Sequence, residues 1–254
     1  SLNLVVPLAS SPVFHYNNYT TRIWSWSEFA LAGAAMVVLF KWRRVSVQSA
    51  LLAALLASLS GVSIYWRNNG LVDAAQEGLI VFLTFLAGSA LFQQRHGQTI
   101  AAFQDGPVNI IRSLLFGIAV AIPLAVVNNL FFYFSSGNAA FRDGFVSALL
   151  ALSPGISEEI IFRYFVLALC NQWLQGESKR PLGFFTVVFL AVVPHSLNHL
   201  PDLFLTNPAM ALFMLATTCL LFGLPMALLQ VKRNLETAIA FHWFIDFARF
   251  LFGY

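Results

Sequence analysis

Of 254 residues, 59% are hydrophobic and only 10% are charged, and the formal net charge is +3. An average soluble domain carries about 25% charged residues, so this balance excludes an ordinary soluble domain and indicates a chain that crosses a lipid bilayer several times. The small positive excess sits on loop lysines and arginines, which reads as membrane topology and argues against a nucleic-acid partner.

Stretches of about 20 apolar residues fall at 24–40, 47–66, 71–92, 108–134, 144–174, 182–200, 208–229 and 236–253. The expected fold is therefore all-α, a polytopic bundle of about eight transmembrane helices. Cys170 and Cys219 both lie inside apolar spans, which leaves no disulfide framework and no CxxC metal pair. Residues 1–22 mix polar and aromatic types and lack the basic stretch that opens a signal peptide. The chain opens at Ser1 rather than methionine, as processing or trimming of a longer chain would leave it.

Trp24, Trp26, Trp42, Tyr65, Trp66, Tyr133 and Trp173 stand near span ends, where interfacial aromatics belong. Odd-numbered loops carry Lys41, Arg43 and Arg44, then Arg95, then Lys179 and Arg180, then Lys232 and Arg233; even-numbered loops carry little beyond Arg67 and Arg142. By the positive-inside rule the odd loops are cytoplasmic and both termini outside, in a cell inner (plasma) membrane. The first three spans, within 1–107, read as a supporting layer, with Glu28, Asp73 and Glu77 near their ends or first turns. Residues 108–254 hold most of the polar intramembrane residues and are expected to form the catalytic core.

The fourth span carries Asn128 and Asn129 at mid-length, which suit hydrogen bonds behind a site or a helix–helix contact. In the fifth, Ser153-Pro154-Gly155-Ile156-Ser157-Glu158-Glu159 precedes Arg163. Pro154-Gly155 is expected to break the helix and Ser157 to cap a new one, with both glutamates in its first turn. Glu159 and Arg163, four apart, share a face and pair, whereas Glu158 is turned away by about 100° and stays free. Counted at about 1.5 Å per residue, Glu158 lies roughly 24 Å from the cytoplasmic helix end, in the outer half or near the middle. The alternative is a plain charge cluster at a helix start. Ionisable groups at membrane depth are costly, which favours function.

In the sixth span Pro194 loosens the backbone before His195 and His199, which face one way, with Asn198 beside them. In the eighth, His242 and Asp246 share a face; Asp246 is placed to fix the tautomer of His242, with Arg249 as a competing partner. Structural readings exist for each: a core histidine pair, and a His-Asp tie between helices. Together these groups suit activation of water for attack on a carbonyl, with Glu158 and one imidazole taking the proton and a second imidazole stabilising the oxyanion.

These residues resemble the CPBP family, the glutamic-type intramembrane proteases that include the CAAX prenyl endopeptidase. Its motifs are EExxxR, FxxxH and HxxxN or HxxxD. The first is complete as Glu158-Glu159-Ile160-Ile161-Phe162-Arg163 and the third as His242-Trp243-Phe244-Ile245-Asp246. The match covers roughly residues 108–254. The resemblance implies a CAAX endopeptidase-like core in which Glu158 activates water, Glu159 pairs with Arg163, the second-motif histidine assists as base, and the third-motif pair stabilises the oxyanion. The sequence departs at three places. Ala191 stands where phenylalanine is expected before His195, so His195 and His199 both remain as the second-motif histidine. Asp246 as an ionised carboxylate cannot donate to an oxyanion, and Tyr164 replaces a small residue and is expected to narrow the pocket.

The reading is an endopeptidase acting on a small membrane-associated protein or peptide, lipidated or C-terminally tagged, with no cofactor. Zinc held by Glu158, His195, His199 and His242 is the metal alternative, and an inactive scaffold or self-immunity protein the non-enzymatic one. A serine protease on Ser157 fits less well, because the residue after it is Glu158 rather than glycine.

Overall fold

The computed structural model describes residues 19–41, 45–93, 106–137, 139–174 and 180–254. Trp42, Arg43, Arg44, Arg95 and Lys179, used above for topology, lie outside the described residues, as do residues 1–18. The described residues form an all-α bundle: α1 (Tyr19–Lys41), α2 (Val47–Asn68), α3 (Leu71–Gln93), α4 (Gly106–Ser136), α5 (Gly144–Trp173), α6 (Pro181–Leu197), a short α7 (Pro201–Thr206), α8 (Pro208–Lys232) and α9 (Leu235–Leu251). Each apolar stretch has its helix. Six helices, α1 to α5 and α8, are long and apolar enough to cross a membrane; α6 is apolar but shorter. Phe40, Val47, Leu71, Phe134 and Leu182 are among the large apolar side chains exposed on the outside, as a lipid-facing surface requires.

The centre of the bundle is α5. Its Ile160, Ile161 and Phe165 are fully buried in one apolar cluster with α3 residues Val81 and Phe85 and α1 residue Ala35. A second cluster joins Ala121 and Ala125 of α4 to Phe241 and Ile245 of α9. The first cluster is built largely on α5 and the second on α9.

Pro154-Gly155 does not break α5. The helix runs on as a π-helical segment, Pro154–Tyr164, in which the Phe165 N–H reaches back to the Ile160 carbonyl. Continuation is possible because the groups that proline strands find partners. Pro154 has no N–H for the Leu150 carbonyl, and that carbonyl instead accepts from Ser63 Oγ at 3.2 Å and Arg67 Nη2 at 3.1 Å. The Ser153 N–H donates to Ser63 Oγ at 3.1 Å. Ser157 is consequently mid-helix and caps nothing; its hydroxyl donates to the Ser153 carbonyl at 2.8 Å. The expected placement of the glutamates in a helix first turn is corrected: they sit deep within α5, in a π segment of the kind that recurs at functional sites.

Gly155 sets how close α9 comes. A Cβ built there would stand 2.9 Å from Trp243 Cβ and 3.0 Å from its Cα, so only glycine admits this crossing. Trp243 Nε1–H fixes the register by donating to the Ala148 carbonyl at 3.0 Å. His242, the residue before Trp243, is thereby held against the glutamates. At the N-terminus of α1, Asp202 of α7 accepts from Thr20 Oγ1 at 2.7 Å, Thr20 N–H at 3.1 Å and Tyr19 N–H at 3.3 Å. These bonds, the Thr20 hydroxyl first, hold the Asp202 carboxyl below its usual range.

Candidate active site

A cavity of about 370 Å³ opens between α4, α5, α6, α8 and α9. One wall is apolar, with Phe131, Leu221, Phe222 and Met226; the other carries Glu158, His195, His199, His242 and Asp246. The structure thus brings the candidate catalytic residues together in one place. Glu158 faces the cavity with a side chain 13% exposed, while neighbouring Glu159 is fully buried, the separation expected from helical phase.

Donor counting settles how the two rings are held. Arginine has only donors, and Arg163 Nη2 lies 3.0 Å from His195 Nδ1. Nδ1 therefore accepts, the ring proton is on Nε2, and that N–H donates to Glu158 Oε2 at 3.0 Å. Arg163 also pairs with Glu159 as its spacing indicates. Glu159 in turn accepts from His242 Nδ1 at 2.7 Å. This leaves His242 Nε2 facing the space between Glu158 Oε2, at 3.6 Å, and Asp246 Oδ2, at 3.5 Å. The buried pair thus orients both imidazoles, one by its cation and one by its anion.

Three expectations are corrected by this geometry. The residue that fixes the His242 tautomer is Glu159, because α9 crosses at Gly155 and turns Nδ1 toward it; Asp246 stands at the other nitrogen and is itself paired with Arg249 at 3.0 Å. Asn129 does not reach the site: its amide donates to the Ala125 carbonyl of its own helix at 2.8 Å, and Asn128 lines the cavity instead. Tyr164 does not narrow the pocket. It packs into α3, stacked on Phe85 with its hydroxyl 3.2 Å from Ser89 Oγ, over a surface that Gly88 leaves open.

His199 is exposed at the end of α6, its ring 5.2 Å from that of His195. Glu158, His195 and His199 offer ligand atoms all within 4.8 Å of one another, a set that would suit a metal ion. Asn198 is buried and accepts from Ser27 Oγ at 3.2 Å, so it ties the end of α6 to α1 without touching the carboxylate.

Sequence reasoning missed what α1 and α3 contribute. Trp24, expected at the interface, lies within α1 because that helix begins at Tyr19; its indole packs edge-on against His195 and His199 at 5.5 and 4.7 Å. Its N–H donates to Glu28 at 2.7 Å. Glu28 is 6% exposed, and with Glu77 of α3 it lines a second cavity, of about 460 Å³, that also reaches Glu158. Nothing local in the sequence distinguishes these acids from ordinary helix-start charges.

Residues 140–248 match the family model described as Rce1-like, type II CAAX prenyl endopeptidase Rce1-like. No match is found among curated proteins or among solved structures.

Proposed function

Because residues 140–248 make this multi-pass membrane chain a CAAX protease-like protein of the CPBP family, we propose that it is a glutamic-type intramembrane endopeptidase. In this reading it hydrolyses a peptide bond in a small membrane-associated precursor, lipidated or C-terminally tagged, in a cell inner membrane. The observation that carries the reading is the position of Glu158, on the polar wall of a cavity whose opposite wall is apolar and beside two imidazoles whose far nitrogens are already engaged.

A water lodged against Glu158 loses a proton to the carboxylate as its oxygen bonds to the substrate carbonyl carbon, and the carbonyl electron pair moves onto oxygen. His195, whose Nδ1 accepts from Arg163, has no free lone pair. Its role is donation through Nε2, and the proton goes to Glu158. The developing oxyanion takes donation from His195 Nε2–H and from His242 Nε2 when that nitrogen is protonated; Glu159 orients His242, and Asp246, 3.5 Å from Nε2, donates nothing. Collapse restores the carbonyl and breaks the C–N bond, and the proton on Glu158 passes to the leaving amine. One water is consumed per bond cut. General base catalysis of this kind is worth about 10²–10⁴ in rate, and each oxyanion donor about 10²–10³. The cavity volume of about 370 Å³ falls in the range of ligand pockets, and its apolar wall suits a hydrophobic substrate segment.

The cluster of Glu158, His195 and His199 favours one second reading, a zinc site with water as a further ligand. A single assay separates the possibilities. Purified protein in nanodiscs is incubated with prenylated and unlipidated membrane-anchored peptides, with and without a strong chelator, and the products are weighed by mass spectrometry. Two fragments whose masses sum to substrate plus water, formed equally with chelator, support the glutamic reading. Loss with chelator and recovery with zinc support the metal. No cleavage of any peptide supports a scaffold.

A further inference from the structure

The second cavity differs in kind from the first. It lies between α1, α2, α3 and the π segment of α5, and its lining is largely polar, including Thr20, Glu28, Arg67, Asp73, Glu77 and Ser157. Arg67 and Asp73 flank the α2–α3 turn at Asn69-Gly70, so the chamber runs from the end of the bundle inward. At its inner end is Glu158, the one acid that lines both cavities.

Glu28 takes one bond from the Trp24 indole, and Glu77 Oε1 takes the hydroxyls of Ser60 and Ser153 at 3.2 Å each. Hydroxyl and indole donors satisfy these buried carboxyl groups only in part, and water in the chamber would satisfy the rest. Polar groups in a cavity of several hundred cubic ångströms are also what holds water in place, whereas apolar cavities stay dry. The first cavity has an apolar wall where a hydrophobic substrate would sit, and a substrate filling it would shut Glu158 off from solvent on that side.

We propose that the polar chamber is the compartment from which water reaches Glu158, entering behind the carboxylate while the substrate occupies the apolar cavity. This rests on the hydrolytic reading given above. Glu28 and Glu77 keep the chamber wet, and α1 to α3 thereby contribute to turnover without touching the substrate.

The test uses full-length protein in nanodiscs, with Cys170 and Cys219 replaced by alanine and one cysteine introduced. Gln76→Cys and Ser25→Cys lie on the chamber wall; Leu55→Cys lies on the lipid face and is the control. The probe is a charged methanethiosulfonate, which reacts with the thiolate and so reports hydration. At least one chamber cysteine is expected to react about tenfold or more faster than the control, because thiolates form poorly in apolar surroundings. After modification, the adduct fills the chamber and kcat for peptide cleavage falls while KM stays constant, since the substrate side is untouched. Chamber cysteines that react no faster than the control overturn the proposal, as does fully modified protein that cleaves at the unmodified rate. Slow labelling in an active enzyme contradicts the chamber alone. Unmodified protein that cleaves nothing contradicts the hydrolytic reading, and the water-supply role with it.

Discussion

Arg163 Nη2 stands 3.0 Å from His195 Nδ1, and this contact fixes which nitrogen of the ring carries its proton. The same guanidinium pairs with Glu159, so one side chain links the acid that holds His242 to the ring that faces Glu158. Lysine retains the charge but lacks the planar fork needed to serve both partners. Arg163→Lys is expected to keep the fold and lose about 10–100-fold in kcat with little change in KM, the usual cost of disturbing a group behind a catalytic shell. Steady-state kinetics on the cleaved peptide, beside a thermal melt, checks it.

Glu159 is fully buried and takes both Arg163 and His242. Its replacement by alanine leaves a buried guanidinium without its anion, and breaking such a pair costs about 3–5 kcal/mol. Glu159→Ala is therefore expected to be the least stable single variant in the site, read as a large drop in Tm in detergent. Glu158→Gln, at a cavity wall, is expected to melt close to the parent.

The Gly155 crossing makes a separate demand. In Gly155→Ala the new methyl meets Trp243 at 2.9 Å, and α9 must move away. Overpacking of this kind costs about 1–3 kcal/mol. A shift of His242 by about 1 Å is expected to lower kcat/KM by about 10² even though no catalytic group is altered. Kinetics and a melt on the same preparation separate the two effects.

Asp202 clasps the start of α1 through Thr20 and Tyr19, and those bonds hold its carboxyl below the ordinary range. A depressed carboxylate stabilises the fold above its unfolded value of about 3.9, and that contribution fades as pH falls through the lower native value. Asp202→Ala is expected to lower Tm at neutral pH, and the gap from the parent should close on acidification. Paired melts across that range show whether it does.

Much of the site was legible because its residues are four apart on helices. Glu159 with Arg163 and His242 with Asp246 each declare a shared face, His195 and His199 come together although α6 ends at Leu197 between them, and the phase difference between Glu158 and Glu159 separates a cavity-facing acid from a fully buried one. What could not be read depends on which helices meet. The Arg163–His195 and Glu159–His242 contacts cross between helices 32 and 83 positions apart in the chain. The continuity of α5 through Pro154 depends on Ser63 and Arg67 of α2 receiving a stranded carbonyl. Trp24, Glu28 and Glu77 read as helix-end residues because composition gives no sign that α1 and α3 lie against α5.

The central claim is that Glu158 is the proton acceptor for a hydrolytic water, and Glu158→Gln tests it most directly, since amide and carboxylate are nearly isosteric. With a peptide substrate shown to be cleaved by the parent protein, the account predicts that kcat falls by about 10²–10⁴ while KM and Tm hold. A Glu158→Gln protein that cleaves at the parental rate would contradict it.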